Sequence, residues 1–326
     1  MIIKLNKNEI DVKQTLECGQ VFSYKTTDFG FCVYSATTCA VIIEHKNHYD
    51  LITTDPDYFV NYFDLNTNYT IIKNKIQEIA RLTFGQASEQ NKLISLAINR
   101  GNGIHILKQN HLETLISFCI SANNNIKRIT ATLFAMRENF GSFVHLSQGF
   151  CDEIYESLTG FYFNSGNLDK NNLENQVKMA LESGGIVQKG DKIGYFAFPN
   201  LSELQKISEE DFRKLGTGYR ASQLCKLVHQ LVEIRGQKWA ELDTKELKNR
   251  LIDLSGVGPK VADCVLLFAF SRGDVFPVDT WIAKVFREYF GDETNRVKMR
   301  ERLVEIFGDL SGYAQQYIFN QAIKYN

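Results

Sequence analysis

The sequence predicts an α+β protein, a small antiparallel sheet followed by a larger helical body. Three observations carry that reading. Residues 31–43 (F-C-V-Y-S-A-T-T-C-A-V-I-I) are rich in β-branched and aromatic side chains and follow the turn signal Asp28-Phe29-Gly30. From Asp57 onward apolar residues recur at helical spacing, beginning with Tyr58-Phe59-Val60-Asn61-Tyr62-Phe63. The chain has 326 residues, 44% hydrophobic and 23% charged, enough for two or three cores of ordinary composition.

Taken in order, residues 1 to about 60 read as strands, and Gly101-Asn102-Gly103 marks a boundary between residues 1–105 and residues 106–326. Residues 112–119 are apolar at helical spacing. A polar break at Ser121-Ala122-Asn123-Asn124-Asn125 follows, then a helix over Ile126–Phe140 stopped by Gly141. Residues 142–198 are less regular, with Asn-Ser-Gly and Ser-Gly-Gly punctuation and a polar helix near 172–181. An insertion at about 145–190 accounts for them. Helices resume at Leu201 and run to the end, and no repeat is visible.

Composition excludes several classes. No apolar run reaches the roughly 20 residues of a membrane helix, and the N-terminus lacks the apolar core of a secretory signal. Seven cysteines without a C-x-x-C pair fit a reducing cytoplasm, and none follows Cys264, so no C-terminal four-thiolate iron–sulfur cluster is encoded. The net charge is −1, but residues 212–260 hold ten Lys/Arg against five Asp/Glu. That excess suits a phosphate-binding face, or else a solvated helix surface.

The chemistry concentrates in residues 254–279. Asp243-Thr244-Lys245-Glu246 resembles a capping box opening a helix that runs to about Asp253. Gly256-Val257-Gly258 then turns the chain, and Pro259 opens a second helix. Such a helix-hairpin-helix lets backbone N–H groups approach a DNA phosphate without reading sequence. Lys260 lies in the first turn of the second helix, where the positive dipole end disfavours an ammonium. A neutral amine is a nucleophile able to form a Schiff base. Cys264 lies one turn further on the same face. Asp279, after Pro277-Val278, reads as the N-cap of the next helix, worth about 1 kcal/mol. A carboxylate fixed in that way also stabilises positive charge developing on a sugar ring.

On these residues the sequence resembles the helix-hairpin-helix DNA glycosylase superfamily, and within it the 8-oxoguanine glycosylase/lyase family. The similarity spans most of the chain outside residues 145–190. It implies a TBP-like antiparallel N-terminal domain before a helical glycosylase body. It also implies Lys260 as nucleophile and Asp279 as its catalytic partner. Cys18-Gly19-Gln20-Val21-Phe22 resembles the element whose glycine carbonyl accepts the extra N–H of the oxidised base, here Gly19. Asn123-Asn124-Asn125-Ile126-Lys127-Arg128 implies Asn123 as void-filler and Arg128 as a reader of the estranged cytosine. Leu215-Gly216-Thr217-Gly218-Tyr219-Arg220 implies Tyr219 as wedge and Arg220 as a second cytosine contact. Gly312-Tyr313-Ala314-Gln315-Gln316-Tyr317-Ile318-Phe319 resembles the pocket element, with Gln315 on the base edge and Phe319 stacking opposite Cys264.

The activity so implied is excision of 8-oxoguanine opposite cytosine in double-stranded DNA, followed by strand cleavage through a lysine Schiff base. No metal ligand and no cofactor are expected, apart from a monovalent cation at the hairpin of Gly256, Val257 and Gly258. A monomer is expected, since no dimerisation helix stands out. Alternatives are a monofunctional alkylpurine glycosylase, which has no use for Lys260, and a non-catalytic helix-hairpin-helix module, which has no use for a base pocket. An endonuclease III or adenine glycosylase relative is disfavoured by the missing cysteine cluster. Two positions depart from the family: Trp281 stands where a histidine is common, and Phe268 where a methionine is often found.

Overall fold

Five strands pair antiparallel in the order β1-β5-β4-β3-β2: β1 (Ile2–Asn6), β2 (Tyr24–Thr26), β3 (Gly30–Ser35), β4 (Thr38–Glu44) and β5 (His48–Thr53). The computed structural model describes residues 1–166, 173–236 and 238–325. Every residue of β3 is buried. Strand alternation sends Phe31, Val33, Ala40, Ile42 and Leu51 to one face and Cys32, Tyr34, Cys39, Val41, Ile43 and Ile52 to the other. The unbroken apolar run over residues 31–43 is therefore the signature of strands covered on both sides.

The first face packs on two short helices, Val12–Glu17 and Pro56–Tyr62, through Val12, Leu16, Phe59 and Tyr62. The Val12–Glu17 helix interrupts a region that reads as strands. At six residues it is too short to impose a visible period, and Asp11 starts it by accepting the Gln14 N–H.

The second face is covered by residues 142–198, the segment that reads as an irregular insertion. It folds as β6 (Phe143–His145), an 18-residue helix Gln148–Ser165, a helix Leu173–Ser183, β7 (Val187–Lys189) and β8 (Lys192–Phe196). The three strands form a second sheet in the order β6-β8-β7. Residue 172, where the polar helix was expected to begin, lies outside the described residues. Phe150, Ile154, Leu158 and Tyr162 recur every fourth position and lie on Val41, Ile43 and Ile52. Two internal glycines and exposed aromatics such as Phe163 mask that period in the sequence. Contact is close: Tyr34 donates to the Gly184 carbonyl at 2.6 Å, and a Cβ on Gly184 would come within 2.4 Å of Cys32 Sγ.

The remainder is helical, as expected. The helix Ile126–Phe140 ends at Gly141, which keeps φ at −83° and needs no positive φ. Glycine is required there because a Cβ would sit 2.0 Å from the Ala197 carbonyl. Helices His111–Ser121 and Ile126–Phe140 form an antiparallel pair around residues 122–125. At its base, Glu113 is paired with Arg137, only 1% exposed. Glu113 also accepts from Ser23 Oγ at 2.5 Å and from the Ala36 N–H at 2.7 Å, so one carboxylate ties the sheet to the body.

Removing one partner of a buried pair leaves an uncompensated charge. Glu113→Ala is expected to lower stability by about 3–5 kcal/mol, read as a shift in the urea midpoint without a change in slope.

Candidate active site

The helix Thr244–Ile252 is capped by Asp243, which accepts the Glu246 N–H at 2.7 Å. The reciprocal half of a capping box is not made, for Glu246 turns to Arg250 at 3.8 Å. Gly256 takes φ +80° and reverses the chain. Gly258, the N-cap of the helix Pro259–Phe268, has φ −88°, and a Cβ there would meet nothing within 4 Å. The open face of that glycine suits close approach of an external group to the helix N-terminus.

Pro259–Phe268 is held by Asp263, which is buried in an apolar run. Lys248 reaches it at 2.7 Å from the preceding helix and Arg300 at 2.9 Å from the helix Arg296–Phe307. Burial raises the Asp263 carboxyl, and the two cations limit the rise. Sequence reading passed over this aspartate, though an acid inside V-A-D-C-V-L-L-F signals a buried partner.

Lys260, Cys264 and Phe268 project from this helix into one narrow cavity of about 30 Å³. Gly19, Phe118, Pro277, Asp279, Gln315, Gln316 and Phe319 complete its wall. The structure thus brings together Lys260, Asp279, Gly19, Cys264, Gln315 and Phe319 from four separated segments. A much larger apolar cavity of about 500 Å³ lies along the other side of the same helix, at Leu112, Leu115, Val265 and Phe270. The lysine and carboxylate at its rim, Lys238 and Glu241, are exposed and paired with each other at 2.8 Å, whereas the smaller cavity holds Lys260 and Asp279, so the chemistry belongs to the smaller one.

Lys260 Nζ sits 5.1 Å from the centroid of Phe118, a ring stacked on Phe268 at 5.5 Å and met edge-on by Phe22 at 5.6 Å. Asp279 is half-buried and caps the helix Thr280–Tyr289 by accepting the Ile282 N–H at 2.9 Å. Burial pushes the Cys264 thiol up to about 11, opposed chiefly by Lys260. Cys264 is therefore a neutral thiol at physiological pH, a polarizable wall rather than a rival nucleophile.

Gly19 has φ +81°, and its added Cβ would stand 3.0 Å from Phe319 Cε1, so Phe319 rests on it. The turn is fixed from both sides. Gln316 Nε2 donates to the Cys18 carbonyl at 2.8 Å, and Gln20 bonds the carbonyls of Thr15 and His105 and the N–H of Leu107. Gln315 Oε1 is buried without a hydrogen-bond partner in the protein.

A second group lies apart from the cavity. Asn123 is exposed with φ +53° at the tip of the helix pair. Arg128 is exposed and donates to the Gly216 carbonyl at 3.2 Å, which joins that tip to the 215–220 turn. Gly216 and Gly218 take positive φ there. Tyr219 is 65% exposed, and Arg220 packs against its ring at 4.4 Å. Arg220 is itself 8% exposed, yet its Nε and one terminal nitrogen find no acceptor in the protein. Of the departures, Phe268 lines the cavity, whereas Trp281 lies outside it, 40% exposed, with Lys284 over its ring.

The positive excess of residues 212–260 is smaller than its count implies. Arg213, Lys214, Lys238, Lys248 and Arg250 are each ion-paired with an acid of the fold.

The arrangement of sheet, helical body and hairpin matches solved DNA-repair structures. A Clostridium acetobutylicum 8-oxoguanine glycosylase/lyase bound to double-stranded DNA with cytosine opposite the lesion superposes with a TM-score of 0.75 at 25% identity, covering 99% of this chain and 98% of that one. MBOgg1, bound to a low-affinity DNA ligand, gives 0.76 at 26% identity, over 99% and 96%. The protein is a helix-hairpin-helix DNA glycosylase in fold. Residues 2–115 match the family model of the 8-oxoguanine DNA glycosylase N-terminal domain. The N-glycosylase/DNA lyase OGG1 of Arabidopsis thaliana is 27% identical over 97% of this chain and 78% of its own length. The chain is thus similar over nearly its whole length to 8-oxoguanine DNA glycosylases, in its N-terminal domain by the family model and throughout by the relatives and solved structures.

Two outcomes check this geometry. Asp263→Asn is expected to lower stability by about 3 kcal/mol in urea unfolding, the low end for a broken buried pair because Lys248 and Arg300 keep some exposure. Mass mapping after a neutral-pH pulse of iodoacetamide should leave Cys264 unmodified in the native protein; rapid labelling there would contradict its raised thiol.

Proposed function

We infer that this protein is a bifunctional DNA glycosylase and AP lyase that removes 8-oxoguanine paired with cytosine. One observation carries the reading: a lysine, a capping carboxylate, a glycine turn, an unpaired amide and two stacking faces converge on a single cavity. The named relatives, glycosylase/lyases by description, support it.

In this reading the Lys260 amine attacks the anomeric carbon while the glycosidic bond breaks, and the base leaves with the bonding electrons and takes up the proton that the lysine gives up. The aminal nitrogen then loses a proton, the C1′–O4′ bond of the sugar breaks with O4′ taking up a proton, and the open-chain sugar is left as a Schiff base on Lys260. Abstraction of a C2′ proton expels the 3′ phosphate by β-elimination. Asp279, oriented by its own capping bond, stabilises the cationic sugar. The Gly19 carbonyl and Gln315 receive the N–H groups of the extruded base between Phe319 and Cys264. Asn123 fills the vacated stack and Tyr219 wedges the helix. Arg128 and the unpaired nitrogens of Arg220 meet cytosine acceptors.

The hairpin of Gly256, Val257 and Gly258 takes a backbone phosphate. A monovalent cation fits beside it, because the carbonyls of Leu254 and Gly256 accept from the Val257 N–H and the Cys119 thiol and keep a lone pair. No step is assigned to that ion. The protein is read as a cytoplasmic monomer; seven free cysteines and the lack, among described residues, of any helix long and apolar enough to cross a membrane accord with this.

Borohydride added to the protein on an 8-oxoguanine:cytosine duplex should yield a covalent adduct that Lys260→Gln abolishes. An undiminished adduct in that variant would refute the lysine mechanism. Repeating the assay with each opposite base should show preference for cytosine that Arg220→Ala relaxes; equal turnover of all four pairs would remove the assigned readout.

A further inference from the structure

The hairpin joining β4 to β5, remote in the chain from every cavity residue, carries a second set of convergent side chains. His45 donates its N–H to the His48 carbonyl at 2.9 Å, so the two residues close the turn opposite one another. Asp50 follows His48 by two positions on β5 and lies on the same face. Fold geometry thus gathers an H-x-x-H-x-D pattern that sequence reading left without a metal role.

The distances are those of a ligand set. His45 Nε2 lies 3.0 Å from Asp50 Oδ2, and His48 Nε2 lies 3.3 Å from Asp50 Oδ1. One ligand atom from each residue falls within 4.8 Å of the other two. Donors bound at about 2.0–2.2 Å to one cation stand roughly 3–3.5 Å apart, so little movement separates this arrangement from a coordination shell. The imidazoles are stacked at 4.6 Å and 16°, and Phe161 meets His45 edge-on at 6.3 Å from the helix Gln148–Ser165. Asp50 Oδ1 is buried and accepts no hydrogen bond. His48 Nε2 faces that oxygen at 3.3 Å without making a hydrogen bond, so the oxygen's lone pairs are left for a cation.

We propose that His45, His48 and Asp50 bind one divalent transition cation of the zinc class. Two imidazoles with one carboxylate select against magnesium and calcium, which take oxygen sets, and the absence of sulfur selects against copper(I). Half-exposed His48 gives access for the ion and leaves room for a water ligand. None of the three residues lines the Lys260 cavity. The bound ion fastens the β4–β5 turn beneath the helix that covers the sheet, and its effect falls on stability.

Metal-free full-length protein is titrated with zinc by calorimetry and with cobalt(II) by absorbance. The expected result is one cation per chain in the low-micromolar range. The cobalt spectrum should show nitrogen and oxygen ligation, and zinc should raise the melting temperature. His45→Gln and Asp50→Asn should each weaken binding by more than about tenfold, while Lys260→Gln binds zinc as the wild type does. Absence of binding at tens of micromolar zinc overturns the site, as does unchanged affinity in both hairpin variants. Thiolate-to-cobalt charge transfer would assign the ion to cysteines instead and equally overturn it.

Discussion

The buried pair of Glu113 and Arg137 is the constraint on which the rest of the architecture hangs. Arg137 is held between the rings of Tyr34 and Phe198, 5.6 and 5.5 Å away, one from the sheet and one following β8. Its carboxylate partner binds Ser23 and the Ala36 N–H from the N-terminal strands. Both charges stand on the helix pair that carries Phe118 and, at its tip, Asn123. An ion pair of this kind contributes little net stability over an apolar substitute. What it fixes is orientation: the sheet meets the helical body in the register that gives the pair its bonds to Ser23 and Ala36 and its contact with Tyr34, and any other register leaves those bonding positions on two buried charges unfilled.

Orientation matters because the cavity is shared between distant parts of the chain. Gly19 comes from the N-terminal region and Phe319 from the last helix, and they touch only because Gln316 holds the Cys18 carbonyl. Gln20 secures the other side of the turn to His105 and Leu107. Two glutamine side chains thus do for the Gly19–Phe319 wall of the cavity what Asp263 does for the lysine-bearing helix. In each case a buried polar group with satisfied bonds replaces loose apolar contact by a defined angle.

Much of this was legible from residue order. The hairpin glycines, Pro259 at a helix start and Asp279 as an N-cap are local signals, and local signals survive in a single sequence. The helix Ile126–Phe140 was bounded for the same reason. What escaped depends on tertiary contact. The long helix Gln148–Ser165 hid behind internal glycines, and nothing in its composition says that it covers the second face of the sheet. Phe118, Pro277 and Gln316 are ordinary helix or loop residues until folding turns them toward the cavity. Asp263, half of whose meaning lies in Arg300, was passed over because its partners come from other helices. Conversely, the local excess of lysine and arginine overstated the positive face, since half of those charges are answered by acids within the fold.

The unmade hydrogen bonds of Gln315 and Arg220 have a consequence for evolution and engineering. A buried polar atom without a partner costs about 1–3 kcal/mol, and the chain carries such atoms in two places, at Gln315 in the Lys260 cavity and at Arg220 in the separate 215–220 turn. Substitutions that silence them, replacing amide or guanidinium by well-packed hydrocarbon, would relieve strain in the isolated protein. They would also remove the unfilled hydrogen-bonding positions on which the proposed recognition of base and cytosine rests. Stability and discrimination are set against each other at these two side chains, so selection for a hardier fold alone would erode them first.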